Sequence, residues 1–498
     1  MIKTKREDWS EWLLEAGTKD LWTANCYIRD PVGDGGRPRI PSLLVTNEYG
    51  EQVEVTGNEE KAKLFANAFF PRPPATSSVP KDFNYPDPLP DPEPISRSQI
   101  ARHVLKLAPY KACGIDEIPN IVLQKSLTII LDHLYFIFKA IFELGIYPEE
   151  WKQSITAVLR KPGKPNYKIA KAYRPIALLN TIPKVLTSIV AENISHLVEK
   201  HNLVPKNHFG GRPGHTTGDA VHYLVHKIKD AWQRGKVVSI LFLDVEGAFP
   251  NAVTDRLIHN LRKRKIPKVY VDFIERLLTN RKTKLKFDDF ISELINIDNG
   301  IGQGCPLSMI LYIIFNSDLL ELVDLDDDED AVGYVDDATI LAIGDDLDDT
   351  TDKLHLIMHE DGGGLTWSEE HNSRFEVSKL AIMHAVRPRQ VNELESRPRL
   401  EINGELVTEV NSYKYLGVHI DNQLRWDVQL QKATEKATAW VLNFRRLMRP
   451  STGIRAKLMR QLFISTVIPK MTYGLDVWYT PPTKPPGSTN SQGSVLAL

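Results

Sequence analysis

Cysteine is nearly absent from this chain: Cys26, Cys113 and Cys305 are the only three in 498 residues, and they lie far apart. That excludes a disulfide framework and any zinc knuckle or finger, and it fits a reducing compartment inside a cell. A surplus of charge is missing too. With 62 Lys and Arg against 64 Asp and Glu the net charge is −2, so contact with a polyanion needs local basic patches rather than a global field. No segment reads as a membrane span. The most apolar stretch, about 129–146, carries Asp132, His133, Lys139 and Glu143 and is expected to be a core helix. The first residues, Met1 to Arg6, are charged too early for a secretory signal. What is present, 42% hydrophobic and 25% charged residues, suits a globular protein of several domains.

The pattern along the chain predicts an α+β protein. Residues 1–70 read as a mostly helical N-terminal extension, with apolar residues at helical spacing from Glu59 to Phe70. Nine prolines between Pro71 and Pro94 allow neither a helix nor a central strand, so 71–95 is expected to be an extended linker. Ser96 to Gln99 resembles a capping box that opens a helix. Short strands then alternate with helices: Thr156–Leu159, Val237–Asp244, Thr283–Phe287 and Ala331–Ala342. A helical stretch rich in Lys and Arg runs from beyond Trp426 to about Tyr473, and 479–498, rich in Pro, Gly and Ser, is expected to be disordered.

Chemistry concentrates around Tyr334-Val335-Asp336-Asp337, set between two short apolar β-like runs. Two adjacent carboxylates at a tight, partly buried turn repel each other and are costly to keep ionised without a cation between them. The plain alternative is an Asp-Asp turn. A second carboxylate, Asp244, ends the apolar run Val237–Leu243, 92 positions before Asp336. If the two strands are sheet neighbours, three carboxylates share one rim, the minimum for two Mg²⁺ ions about 3.5–4 Å apart. The alternative for Asp244 is a helix cap. The glycine-rich loop 299–308 lets backbone approach a ligand, and Gln303 can hydrogen-bond one. Lys161 and Arg174, on two strands joined by a basic loop, are candidates to clamp a triphosphate, or else decorate a solvated hairpin. The acidic run Asp324–Asp330 reads as a solvated connection, and Phe287-Asp288-Asp289 as a hairpin turn.

Eight runs stand out in order. They are Lys111-Ala-Cys-Gly-Ile-Asp-Glu-Ile-Pro119, Tyr173-Arg-Pro-Ile176, Phe209-Gly-Gly-Arg-Pro-Gly-His-Thr-Thr217 and Phe242-Leu-Asp-Val-Glu-Gly-Ala-Phe249. Then come Gly302-Gln-Gly-Cys-Pro-Leu-Ser308, Tyr334 to Asp337, His371-Asn-Ser-Arg-Phe-Glu-Val-Ser-Lys379 and Tyr413-Lys-Tyr-Leu-Gly-Val418. Together they resemble the reverse transcriptases of non-LTR (LINE-like) retrotransposons, in particular fungal ones. The resemblance implies a right-hand polymerase with an antiparallel palm sheet. Fingers and palm would fill 96–420, fingers about 100–235 and palm about 236–420, with a helical thumb over 421–478. It implies RNA-directed DNA synthesis with two Mg²⁺ (or Mn²⁺) on Asp244, Asp336, Asp337 and the Val245 carbonyl.

Lys161, Arg174, Phe249, Gln303, Gly304 and Lys379 would then bind the nucleotide. Phe249 would act as the gate against a 2′-hydroxyl, and Lys379 as proton donor to pyrophosphate. Arg281, Lys282, Arg445, Arg446, Arg449, Arg455 and Arg460 would contact the nucleic acid. The implied partners are an RNA template, a DNA primer and dNTPs, without a membrane. The implied location is the nucleus at the integration site, after synthesis in the cytoplasm. Cys305 stands where the family more often has Ser or Asp. The lengths flanking the polymerase leave no room for an endonuclease or ribonuclease H, so a partial element is expected. A catalytically silent nucleic-acid-binding remnant is the alternative.

Overall fold

A computed structural model describes residues 8, 11–15, 17, 20, 39–46, 49–388, 398–445, 447 and 454–479; Arg446, Arg449 and the tail from 480 lie outside them. In chain order the principal elements begin with the hairpin β1 (Leu43–Thr46) and β2 (Gln52–Val55), then helix α1 (Asn58–Phe69). The helical expectation for 1–70 therefore fails over 43–55, where Gln52–Val55 alternates polar with apolar residues and both strands carry β-branched side chains. Residues 71–95 form no helix or strand, as the prolines require, but they are a pinned strap. Tyr85 hydrogen-bonds His259 at 2.8 Å and lies under the Arg262 guanidinium, and Leu89 N–H donates to the Lys265 carbonyl.

Helix α2 (Arg97–Lys106) opens with the expected capping box of Ser96 and Gln99. Helix α3 (Asn120–Glu143) departs from the core-helix reading. By length and composition it could cross a membrane, and it packs through one side only. Leu134, Phe138 and Ile141 are buried, while Ile129 is 75% and Phe136 59% exposed. Strands β3 (Gln153–Arg160) and β4 (Tyr173–Leu179) follow, then helices α4 (Thr181–His201) and α5 (Thr217–Gln233). Next come β5 (Val237–Asp244), α6 (Thr254–Lys263) and α7 (Lys268–Leu278).

The chain then returns to the first sheet. Strand β6 (Arg281–Phe287) lies parallel to β3, with β7 (Phe290–Ile291) and β8 (Ile295–Ile297) paired to it. Thr283 Oγ1 binds Ser154 and Thr156 across the β3–β6 seam. Segment 281–297 thus belongs with β3 and β4 rather than with the surrounding palm range.

Helix α8 (Ser308–Leu320) is buried all round and supports the second sheet. That sheet contains β5, β9 (Glu329–Tyr334), β10 (Asp337–Gly344), β11 (Ala381–Ala385) and, after the short pair β12 (Glu401–Ile402) and β13 (Glu405–Leu406), β14 (Thr408–Glu409). Its order is β14-β11-β5-β10-β9. Helices α9 (Leu347–His359) and α10 (Gly364–Glu370) lie between β10 and β11, and the hairpin β15 (Ser412–Tyr415) and β16 (Val418–Asp421) leads to α11 (Asp427–Phe444) and α12 (Ala456–Leu462). The mixed α+β class holds. Strand β5 is central, and seven of its eight residues are buried, as expected of a strand covered on both faces.

The acidic run 324–330 is not simply solvated. Asp328 pairs with Arg234 and Lys236, and Asp330, 1% exposed, pairs with Lys227 at 2.7 Å and accepts from the Tyr223 hydroxyl. A buried carboxylate is tolerable only with such partners. Asp288 turns a hairpin, as expected, and its carboxylate accepts from the Ile40 N–H.

Candidate active site

Antiparallel pairing of β5 with β10 sets Asp337 directly opposite Asp244, and the β9–β10 turn puts Asp336 beside them. The turn is strained. Val335 has φ +61, a left-handed conformation that a β-branched residue rarely adopts. Its surroundings impose it: Asn316 Nδ2 donates to the Val335 carbonyl at 2.5 Å, and a Cβ on Gly210 would lie 2.5 Å from the Val335 nitrogen. The Phe209–Thr217 run therefore serves as a brace, with Phe209 N–H bonded to the Gly333 carbonyl and buried His208 beside Asn316.

The other side of Asp244 is held by residues 374–376. Glu376 N–H donates to the Asp244 carbonyl and Glu246 N–H to that of Arg374, both at 2.9 Å, around a Val245–Phe375 bridge. The flanking residues carry those bonds, so the Val245 carbonyl is not consumed by the pairing. Lys379 Nζ reaches Asp244 Oδ2 at 2.8 Å and also pairs with Glu376.

Electrostatics follow from this crowding. Burial, then the charges of Asp336 and Asp244, pushes Asp337 up to about 6. Asp336 is raised by burial and by Asp244, against the opposing pull of Arg174. Lys161 is lowered by burial and by the positive charges of Lys164, Arg174 and Lys379. Lys379 thus sits on Asp244, Arg174 within reach of Asp336, and Lys161 near both cations. All-oxygen, like-charged donors on one rim fit a hard divalent cation, which would relieve their repulsion. Among the described residues no three such side chains already converge as ligands, and Asp244 Oδ2 accepts from the Lys379 ammonium.

The glycine-rich loop joins the two sheets. Ile301 N–H donates to the Phe249 carbonyl, and Ala177 N–H on β4 donates to the Gln303 carbonyl, both at 2.7 Å. Gly304, at φ +122, comes so near β4 that a Cβ would stand 2.4 Å from the Ala177 oxygen. Gln303, Gly304 and Phe249 are therefore brought together with the strand that carries Arg174. Phe249 is half-buried, its ring stacked on Tyr312 at 4.8 Å between centroids.

Other expected contacts divide. Lys282 is exposed on β6, and Arg445, Arg455 and Arg460 are exposed about α11 and α12. Arg281 is a correction. Its guanidinium is turned inward, donating to the carbonyls of Leu278 (3.1 Å), Asn299 (2.9 Å) and Gly300 (2.6 Å), so few donors remain for a phosphate. The sequence reading missed Tyr413, which stacks on Phe242 at 3.8 Å and is raised by burial and by Asp337 and Asp244. Its aromatic alternation in Tyr413-Lys414-Tyr415 was the available signal.

Facing aspartates on central strands, cations opposite them and a close backbone loop between form a site suited to handling a polyphosphate. The chain belongs to the reverse transcriptase (RNA-dependent DNA polymerase) family, whose profile matches residues 159–420, just over half of its length. It is similar to the probable RNA-directed DNA polymerase from transposon BS of Drosophila melanogaster, 24% identical over 391 residues, covering 78% of this chain and 42% of that protein. The corresponding X-element protein of the same fly is 26% identical over 390 residues, covering 77% of this chain and 41% of that one. This chain thus spans about two fifths of those relatives. Apo telomerase from Candida tropicalis, truncated from its C-terminal domain, overlaps 61% of this chain and 59% of its own at TM-score 0.38 and 11% identity, too slight a likeness to argue from.

Proposed function

We propose that this chain is the RNA-directed DNA polymerase part of a non-LTR retrotransposon, joining dNTPs to a primer 3′-hydroxyl on an RNA template. The observation that carries the reading is the register of Asp337 against Asp244, with Lys379 on Asp244 and Arg174 near Asp336. The β3–β4–β6 sheet serves as fingers, the β5-centred sheet as palm, and α11–α12 as thumb. Asp244, Asp336, Asp337 and the Val245 carbonyl would hold two Mg²⁺ or Mn²⁺ ions, which when bound supply an activated hydroxyl and neutralise charge on the phosphates.

The chain's own residues do the rest. Arg174 and Lys161 orient the triphosphate, and Gln303 with Gly304 lines the base and sugar pocket. Lys379, freed from Asp244, is placed to give a proton to the departing pyrophosphate. Phe249 closes the space a 2′-hydroxyl would need. The exposed Lys282, Arg445, Arg455 and Arg460 track phosphates. Action at a nuclear integration site follows from this reading, and a fungal origin rests on motif resemblance alone.

The test is primer extension with Mg²⁺, an RNA template and a DNA primer. Wild type should incorporate dNTPs and Asp336→Ala should lose incorporation by at least about a thousandfold. Equal activity in both would sink the site. Salt-sensitive RNA binding without any extension would instead identify a silent remnant.

A further inference from the structure

Tyr312 sits in the middle of α8, fully buried, and its hydroxyl finds no hydrogen-bond partner among the described residues. A buried hydroxyl without a partner is costly, so its position calls for a reason. Two surround it. One face of its ring carries Phe249, stacked at 4.8 Å and 26°. Its phenol proton is held by burial and by the nearby negative charges of Asp336 and Asp244.

Behind it the aromatic contacts continue in an arc. Tyr312 meets Phe315 at 5.9 Å, Phe315 meets His371 at 5.0 Å, and His371 stacks on Trp367 at 4.8 Å. Trp367 meets Phe375 at 5.9 Å, and Phe375 bridges back to Val245, four residues before Phe249. The arc begins and ends on the segment that bears Asp244 and Phe249. Close-packed rings in fixed orientations transmit position with little slack.

We propose that Tyr312 is a positioning residue for sugar selection: its ring is the platform that sets the height of Phe249, and with it whether a ribose fits. This rests on Phe249 acting as a gate in the reading above. A gate works only if it cannot yield, and Phe249 is half-buried on a short helical turn, Ala248–Asn251, whose backbone is held at the Phe249 carbonyl by Ile301 while its ring needs a separate support. Tyr312 supplies it from beneath. A branched aliphatic side chain there would leave Phe249 free to tilt away from an incoming 2′-hydroxyl.

The experiment measures kcat and KM for dNTP and rNTP incorporation in wild type, Tyr312→Leu, Tyr312→Phe, Phe249→Ala and the Phe249→Ala/Tyr312→Leu double variant, with thermal melts on each. Tyr312→Leu should lower discrimination against rNTPs by about tenfold, mainly through a lower rNTP KM. Tyr312→Phe, which keeps the ring, should retain discrimination within about twofold. In the double variant, Tyr312→Leu should change discrimination no further, because the gate it supports is gone. Should Tyr312→Leu fold poorly, Tyr312→Met removes the ring with similar volume and carries the same expectation. Unchanged discrimination in the folded ring-less variants, or additive effects in the double variant, would overturn the proposal while Phe249→Ala still relaxes selection. If Phe249→Ala leaves selection unchanged, or wild type incorporates nothing, the gate reading falls and takes this proposal with it.

Discussion

Replacing Arg281 by Met separates two roles that a basic residue beside a nucleic-acid channel can have. The guanidinium donates to three backbone carbonyls, those of Leu278, Asn299 and Gly300. At about 1–1.5 kcal/mol net each, those bonds contribute roughly 3–4.5 kcal/mol. Against this stands the cost of holding a cation away from water: burial pushes its pKa down to about 10 from 12.5. At about 1.4 kcal/mol per unit that shift offsets roughly 3 kcal/mol. Arg281→Met removes both terms, so the net loss of stability should be small, about 0–1.5 kcal/mol, read from urea unfolding.

The larger effect is local, because two of the freed carbonyls belong to the loop that carries Gln303 and Gly304. The KM for dNTPs should therefore rise several-fold. RNA affinity should keep its salt dependence, since no phosphate contact is lost. Lys282→Ala, one residue on and exposed, should instead lower the slope of log K against log salt by nearly 1 with little change in stability. A reduced salt slope in Arg281→Met with an unchanged dNTP KM would refute the inward clamp.

Gly304→Ala should cost about 1–3 kcal/mol and raise the dNTP KM, because φ +122 and a Cβ 2.4 Å from the Ala177 oxygen cannot both be accommodated; wild-type melting and KM would contradict this. Asp330→Asn, which strips a buried charge from Lys227, should lower stability by about 3 kcal/mol in a thermal melt, and Lys227→Met in the same chain should restore part of it. Burial holds His371 down to about 3 and His259 down to about 4, both below the ordinary 6.5. Between those values the unfolded chain binds protons that the native one does not, so stability is full above pH 6.5 and falls on acidification. From pH 7 to 5 each should withdraw about 2 kcal/mol, and a flat urea midpoint across that interval would exclude the shifts.

The basic patches show why the sequence could locate the site yet misplace some of its neighbours. Asp244 and Asp336 each had a plain alternative, a helix cap and a turn, and became legible only through the ordered runs around them; the apolar strands that carry them prove to be sheet neighbours. Arg281 was misassigned because its strand was begun two residues late, at Thr283. Begun at 281, the period of two puts Arg281 on the face of Thr283, Leu285 and Phe287, all buried, and Lys282 and Lys286 on the exposed one. Leu285 and Phe287 were the signal that the arginine points inward. The acidic run failed differently. Its partners Lys227, Arg234 and Lys236 sit on and just after α5, about ninety positions upstream, and only the sheet's order brings them together.

Tyr312 had no signal at all. A helix buried on nearly every side offers no face to single out, and the Tyr312 ring acquires meaning only from the rings and carboxylates that the fold gathers around it. Periodicity thus resolves the direction of a side chain where one face of its element is wet. Where both are dry, direction is set by tertiary packing, and there the stacking of Tyr312 on Phe249 becomes visible only in three dimensions.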